Sequence, residues 1–197
     1  MHLRNFDDEI ELLHLATKDT IAQWKDRFTT AYQAIFAGDP YFEAFSKQEA
    51  ETIYDSLTRI PGNITIIAVD ASGGIAGFGI AVPLTFNISV SQELTGLIPL
   101  PHTMYFAELG VQNNCRGRGL GRALIKARLD LIDTDRYSHV VLRVASEKNP
   151  SYDMYLSMGF EDMGVYMSVS TKRIDGTMKT DKRLFLSRVR SQVKLEL

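Results

Sequence analysis

The segment Gln112-Asn113-Asn114-Cys115-Arg116-Gly117-Arg118-Gly119-Leu120-Gly121 gathers glycines and arginines where residues of strand type give way to residues of helix type. Glycine lets main-chain amides come close to an anion, the start of a helix presents N–H groups without partners, and Arg116, Arg118 and Arg122 add positive charge. Phosphate is the ligand that such a loop fits. A glycine-rich turn with solvated arginines is the plainer alternative. Two nucleotide motifs do not match. Gly117, Gly119 and Gly121 alternate, whereas a dinucleotide fingerprint reads G-x-G-x-x-G, and the G-x-x-x-x-G-K-[ST] of a P-loop is absent.

Other groups near the loop could move protons. Strand alternation puts Glu108 on the face opposite Leu109, either as a general base or as a buried, cross-strand-paired carboxylate. Cys115 has no adjacent His to activate it, so no covalent role is expected of it. His2, His14, His102 and His139 lack metal-ligand spacing, and no metal site is expected.

These residues must be positioned by elements that the apolar pattern outlines. Ile10 to Ala16 reads as a first strand. After Asp19, taken as the N-cap, Ile21, Trp24, Phe28, Ala31 and Ile35 recur at helical spacing, and Gly38 ends the helix. Ser46-Lys47-Gln48-Glu49 is a capping box that opens a second helix reaching toward Pro61. Ile64 to Val69 and Ile75 to Val82 form a hairpin around Asp70-Ala71-Ser72-Gly73-Gly74. Residues 85–102, with Pro99 and Pro101, show no periodicity and are expected to form a long ordered loop beside the site. Tyr105 to Gln112 is a strand, and Leu120, Ala123, Leu124, Ala127 and Leu131 line a helix. Val140 to Val144 is a buried strand, parallel to the one before the helix because a right-handed crossover joins them. Asn149-Pro150 starts a helix that Gly159 ends, and two strands follow at about 160–171 and 183–190.

Two separate stretches carry a family resemblance. Arg116, Gly119 and Gly121 match the pyrophosphate pattern [QR]-x-x-G-x-[GA], and Asn149-Pro150-Ser151-Tyr152-Asp153-Met154-Tyr155-Leu156-Ser157-Met158-Gly159-Phe160 matches a later segment that ends Tyr-x-x-x-Gly-Phe. In both, the chain resembles the GNAT superfamily of acyl-CoA-dependent N-acetyltransferases. The resemblance implies one α/β domain over residues 1–197, with a twisted mixed sheet of about six or seven strands and about four helices. It also implies that the fourth and fifth strands, at 105–112 and 140–144, splay apart around acetyl-CoA. Leu109, Gly110 and Val111 would pair with its pantetheine arm, as an added strand does. Arg116, Gly117, Arg118, Gly119, Leu120, Gly121 and Arg122 would wrap its pyrophosphate, with Asn149 and Tyr152 as further cofactor contacts. Tyr155 matches the tyrosine that protonates the departing thiolate, with Tyr152 as its rival one turn earlier. An acidic residue at the place of Glu108 resembles the base of many members, although a water relay would serve as well. The implied reaction is direct transfer of acetyl to a primary amine. A silent acyl-CoA-binding regulator is the alternative, and a dehydrogenase a third.

The 197 residues, 45% hydrophobic, suffice for one sizeable core, and a net charge of −2 provides no global field for nucleic acid or anionic membrane. One cysteine, an N-terminus without an apolar signal core and no run of roughly 18 to 20 apolar residues predict a cytoplasmic protein. A homodimer is left open. The acceptor is expected against residues 39–45, where Asp39, Tyr41, Phe42, Glu43 and Phe45 offer carboxylates and aromatic faces for a cationic amine, and against the 85–102 loop. Polyamine, aminoglycoside, amino acid, xenobiotic amine and protein lysine all remain open as acceptors.

Overall fold

The computed structural model describes residues 1–146 and 150–190. The chain begins with strands β1 (His2–Asn5) and β2 (Ile10–His14), helices α1 (Lys18–Ala37) and α2 (Lys47–Thr58), and the hairpin β3 (Ile64–Asp70) and β4 (Ile75–Pro83). A short α3 (Ile88–Leu94) precedes β5 (Thr103–Val111), α4 (Leu120–Leu131), β6 (His139–Ala145) and α5 (Pro150–Ser157). A long hairpin, β7 (Glu161–Lys172) and β8 (Met178–Val189), completes the described chain.

Local chemistry fixes most boundaries. Thr17, not Asp19, caps α1: its side chain accepts from the Thr20 amide while Thr20 returns a bond to the Thr17 amide. Ser46 and Glu49 make the same reciprocal box at α2. Asp70 Oδ1 accepts from the Ser72 and Gly74 amides, each at 2.9 Å, and so closes the β3–β4 turn. Gly159, at φ 80°, ends α5.

All eight strands join one sheet in the order β1-β2-β3-β4-β5-β6-β8-β7, antiparallel throughout except for the parallel β5–β6 pair. The expected six or seven strands missed β1, and the expected four helices missed α3. Both are too short to show a period, and tertiary packing of Val90 and Leu94 holds α3 in place.

Period-two alternation separates two apolar layers. Ile64, Ile66 and Ala68 of β3 pack with Leu120, Leu124 and Ile125 of α4, along with Tyr155 and Phe160. Ile67 and Val69 pack on the other face with Trp24, Phe28, Tyr32 and Ile35 of α1 and with Tyr54 of α2. β3 and β4, covered on both faces, are buried almost throughout.

The α4 layer contains a fully buried cation, Arg128. Its Nε donates to the Leu124 carbonyl at 3.2 Å, and its Nη1 donates to the carbonyls of Glu108 at 3.0 Å and Ile80 at 3.4 Å. Gly79 makes the room, since a Cβ there would lie 2.7 Å from Arg128 Nε. Gly79→Ala is therefore expected to lower the unfolding free energy by about 1–3 kcal/mol, read from the urea midpoint at constant m-value. An unchanged midpoint would show that the guanidinium can move aside at no cost.

Candidate active site

The sheet opens at one place. β5 and β6 pair from Thr103↔His139 to Phe106↔Leu142 and no further, so Glu108 to Val111 keep partners only in β4. At the same point Ile80 faces Glu108 while Ala81 faces Phe106, which leaves Ala107 unpaired as a bulge in β5. Leu109, Gly110 and Val111 therefore form a strand edge without a β6 partner, where the Val111 carbonyl accepts from Arg116 Nε at 3.1 Å.

Beyond Val111 the chain turns into α4. Gly119 is its N-cap, at φ 90°, and no side chain caps the helix. The first intrahelical bond runs from the Ala123 amide to the Gly119 carbonyl, so the Leu120, Gly121 and Arg122 amides precede it. A Cβ on Gly117 or Gly119 would meet nothing within 4 Å, so the surface beside these amides is open. The arginines are placed differently from the sequence reading. Arg118 Nη2 ion-pairs with Asp7 at 2.8 Å and Glu9 at 3.1 Å, drawn toward the β1–β2 turn. Arg116 donates to the carbonyls of Val111 and Asp39, bracing the α1–α2 connection. Arg122 reaches Ser157 Oγ at 2.9 Å and links α4 to α5. Cys115 is buried, and burial pushes its thiol up.

Tyr155, on the α4–α5 face, is 5% exposed, its ring set 72° to Phe160 at a centroid separation of 5.4 Å. Burial pushes its phenol up to about 12, against the field of the Arg128 guanidinium, which favours phenolate. Arg128, drawn down to about 10 by burial, lies 4.1 Å from the Phe106 ring centroid. Tyr152 points elsewhere: its hydroxyl donates to Asp162 Oδ2 at 3.4 Å. Asn149 lies outside the described residues.

Glu108 belongs to the α1–α2 face, where the Tyr32 hydroxyl donates to its Oε2 at 3.5 Å. Desolvation raises its pKa to about 7, with Arg143 opposing and Glu43 adding to the rise. Glu43 is itself buried and held by Arg183 at 3.1 Å and Arg173 at 3.7 Å, so the carboxylate expected to meet a cationic amine is already neutralised. Arg173 also pairs with Asp181 and donates to the Tyr41 carbonyl, which ties residues 41–44 to the β7–β8 hairpin. Phe42 is exposed, while Tyr41 and Phe45 pack against the α1 core.

The 85–102 segment does not flank this opening. It leads into the start of β5, where the Ser138 amide donates to the His102 carbonyl and His102 Nδ1 lies 3.0 Å from the Arg136 carbonyl oxygen. The gap is at the other end of the strand, so His102 is not part of the site. Sequence reasoning missed Arg128, Arg143 and Tyr32. A charged residue within the apolar period of α4, and another inside the run Val140–Val144, were the available signals.

Glu108 thus lies at the gap on the α1–α2 face of the sheet, and Tyr155 lies on the opposite, α4 face. The Acetyltransferase (GNAT) family matches the sequence over residues 21–160. The chain belongs to this family. Among solved structures, a candidate acetyltransferase from Acinetobacter baylyi has TM-score 0.66 at 14% identity, over 93% of this GNAT chain and 94% of that one. An N-acetyltransferase from Staphylococcus aureus has TM-score 0.62 at 13% identity, over 90% and 98% of the two chains. The ribosomal-protein-S18-alanine N-acetyltransferase from Escherichia coli has TM-score 0.61 at 14% identity, over 95% and 98%. At such identities the likeness is one of fold. No curated protein matches the sequence.

The Glu108 pKa predicts an effect on stability. The folded state holds this proton up to about 7, the unfolded chain only to about 4.5. Between those values the native state binds the extra proton, so the residue's contribution falls as pH rises through that window and stays unfavourable above it. Glu108→Gln cannot ionise. It is expected to be more stable than the parent protein by about 1–3 kcal/mol near pH 8 and to lose most of that gain near pH 5, as measured by urea unfolding.

Proposed function

We infer that this GNAT protein is an N-acetyltransferase that moves acetyl from acetyl-CoA directly to a primary amine. The observation that carries the reading is the gap between β5 and β6, and the reading is supported by a carboxylate at that gap titrating near neutrality and a phenol on the other face that holds its proton. The residues fit the cosubstrate. The edge at Leu109–Val111 suits the pantetheine amides, and the α4 amides beside Gly117, Gly119 and Gly121 suit a pyrophosphate. Acetyl-CoA supplies an activated thioester when bound.

The protein's own part is proton management and charge stabilisation. Glu108, titrating near 7, takes the proton that an ammonium must lose before nitrogen can attack. A β5 amide near Leu109 or Val111 donates to the carbonyl oxygen, which gains charge as the C–N bond forms. Tyr155 gives its proton to sulfur as the C–S bond breaks, and the Arg128 field stabilises the resulting phenolate. The nitrogen loses its second proton to solvent as the amide forms, and solvent returns one to the phenolate. The balance is one amide and one thiol formed, with one proton released through Glu108.

Release of free thiol from acetyl-CoA across an amine panel tests the activity, and cofactor binding without turnover on any amine would make the protein a silent binder. Tyr155→Phe is expected to lower kcat roughly 100- to 10,000-fold with acetyl-CoA affinity nearly unchanged. Tyr152→Phe should retain most of the rate, and the reverse pattern would move the acid one helical turn. Gly119→Ala strains a left-handed position by about 1–2 kcal/mol and puts a methyl into the open surface. It is expected to weaken acetyl-CoA binding about 10-fold or more by calorimetry, independent of the amine; unchanged affinity would remove this loop from the phosphate site.

A further inference from the structure

One cation at the opening keeps its charge uncommitted. Arg143 follows Leu142, the last β6 residue paired with β5, and alternation puts it on the face of Val141, the α1–α2 side that also carries Tyr105 and Glu108. Its Nε donates to the Tyr105 hydroxyl at 2.8 Å, and its Nη1 lies 3.2 Å from the Met167 sulfur. Both partners are neutral. Among the described residues no carboxylate forms an ion pair with Arg143, and its Nη2 has no hydrogen-bond partner. The other arginines here are placed otherwise: Arg173 and Arg183 face Glu43 and Asp181, Arg128 is fully buried among three carbonyls and the Phe106 ring on the opposite face, and Arg116 donates to two carbonyls.

This leaves a half-buried guanidinium on the same face as the one carboxyl group proposed as the base, bonded to Tyr105 and close enough for its charge to oppose the rise in Glu108. A simple cationic amine entering this face would meet Arg143 with only the partly ionised Glu108 to offset the repulsion. An amine that carries its own carboxylate would meet it differently. The planar guanidinium matches a carboxylate, and a partly desolvated site strengthens the pair. We propose that the acceptor is a free amino carboxylic acid, with its carboxylate held by Arg143 and its amine turned toward Glu108. The inference rests on the acetyltransfer reading and narrows its acceptor. Once bound, the carboxylate also offsets the guanidinium field on Glu108, which makes that group a better base in the complex than in the free protein.

Thiol release measured with the common amino acids, each beside the amine obtained by removing its carboxylate (phenylalanine with phenethylamine, for example), tests this on the intact chain. The best amino acid should exceed its decarboxylated partner in kcat/KM by about 10- to 150-fold, the range a charge-assisted contact supports. Arg143→Gln should bring that ratio toward one while acetyl-CoA affinity by calorimetry is kept, and Arg143→Lys should restore part of it. The comparison of pairs in the unaltered protein does not depend on how the variants fold. Equal or better turnover of the decarboxylated amines, an unchanged ratio in Arg143→Gln, or turnover of peptide amines alone would overturn the proposal and leave the acetyltransferase reading intact. Failure to bind acetyl-CoA would overturn both.

Discussion

The buried Arg128 guanidinium is the contact on which the site depends. Taking such a cation out of water costs several kcal/mol unless its donors are well used. Here two of its nitrogens serve carbonyls of α4, β4 and β5, and its flat face rests on Phe106. Two of those carbonyls, at Ile80 and Glu108, flank the bulge where β5 leaves its parallel partner. One side chain therefore fixes the depth of α4 on the sheet, the register of β4 with β5 at the opening, and the field felt by Tyr155. The requirement for glycine at position 79 follows from it.

The proposed chemistry divides between two faces of one sheet, with Glu108 on one and Tyr155 on the other. Burial raises both Glu108 and Tyr155, yet to different effect: a carboxyl raised to about 7 exchanges protons near neutrality, whereas a phenol at about 12 stays protonated until a strong base forms beside it. Environments that push two groups to such different values are the usual way to assign base and acid. Each is opposed by an arginine, Arg143 for the first and Arg128 for the second, so neither shift reflects desolvation alone.

What could be read in the sequence was what depends on neighbours along the chain. The α1 face, the Ser46 capping box, the Asp70–Gly74 turn and the glycine run before α4 are local, and the structure contains all of them. The parallel strands at 103–111 and 139–145 followed from handedness. What escaped depends on partners remote in sequence. Glu43 looked like an amine ligand, and only the return of the β7–β8 hairpin brings Arg173 and Arg183 to it. The 85–102 segment was expected beside the site as a long aperiodic loop, but it enters at the end of β5 opposite the bulge. Arg128 broke the apolar pattern of its helix without revealing that Gly79 had cleared a space for it.

Charge counted along a sequence is thus an upper bound on the field at a site. Three arginines around the glycine loop read as three contributions to anion binding, yet Arg116 holds the α1–α2 connection, Arg118 faces Asp7 and Glu9, and Arg122 reaches Ser157. What faces the open surface is main chain, whose amides keep their polarity whatever the surrounding ion pairs do. The solvent-exposed pairs of Arg118 are weak, so a more highly charged anion could compete for that guanidinium with little penalty. What the loop offers an anion is therefore backbone geometry, set by left-handed Gly117 and Gly119, while its arginines chiefly join the loop to β1–β2, the α1–α2 connection and α5.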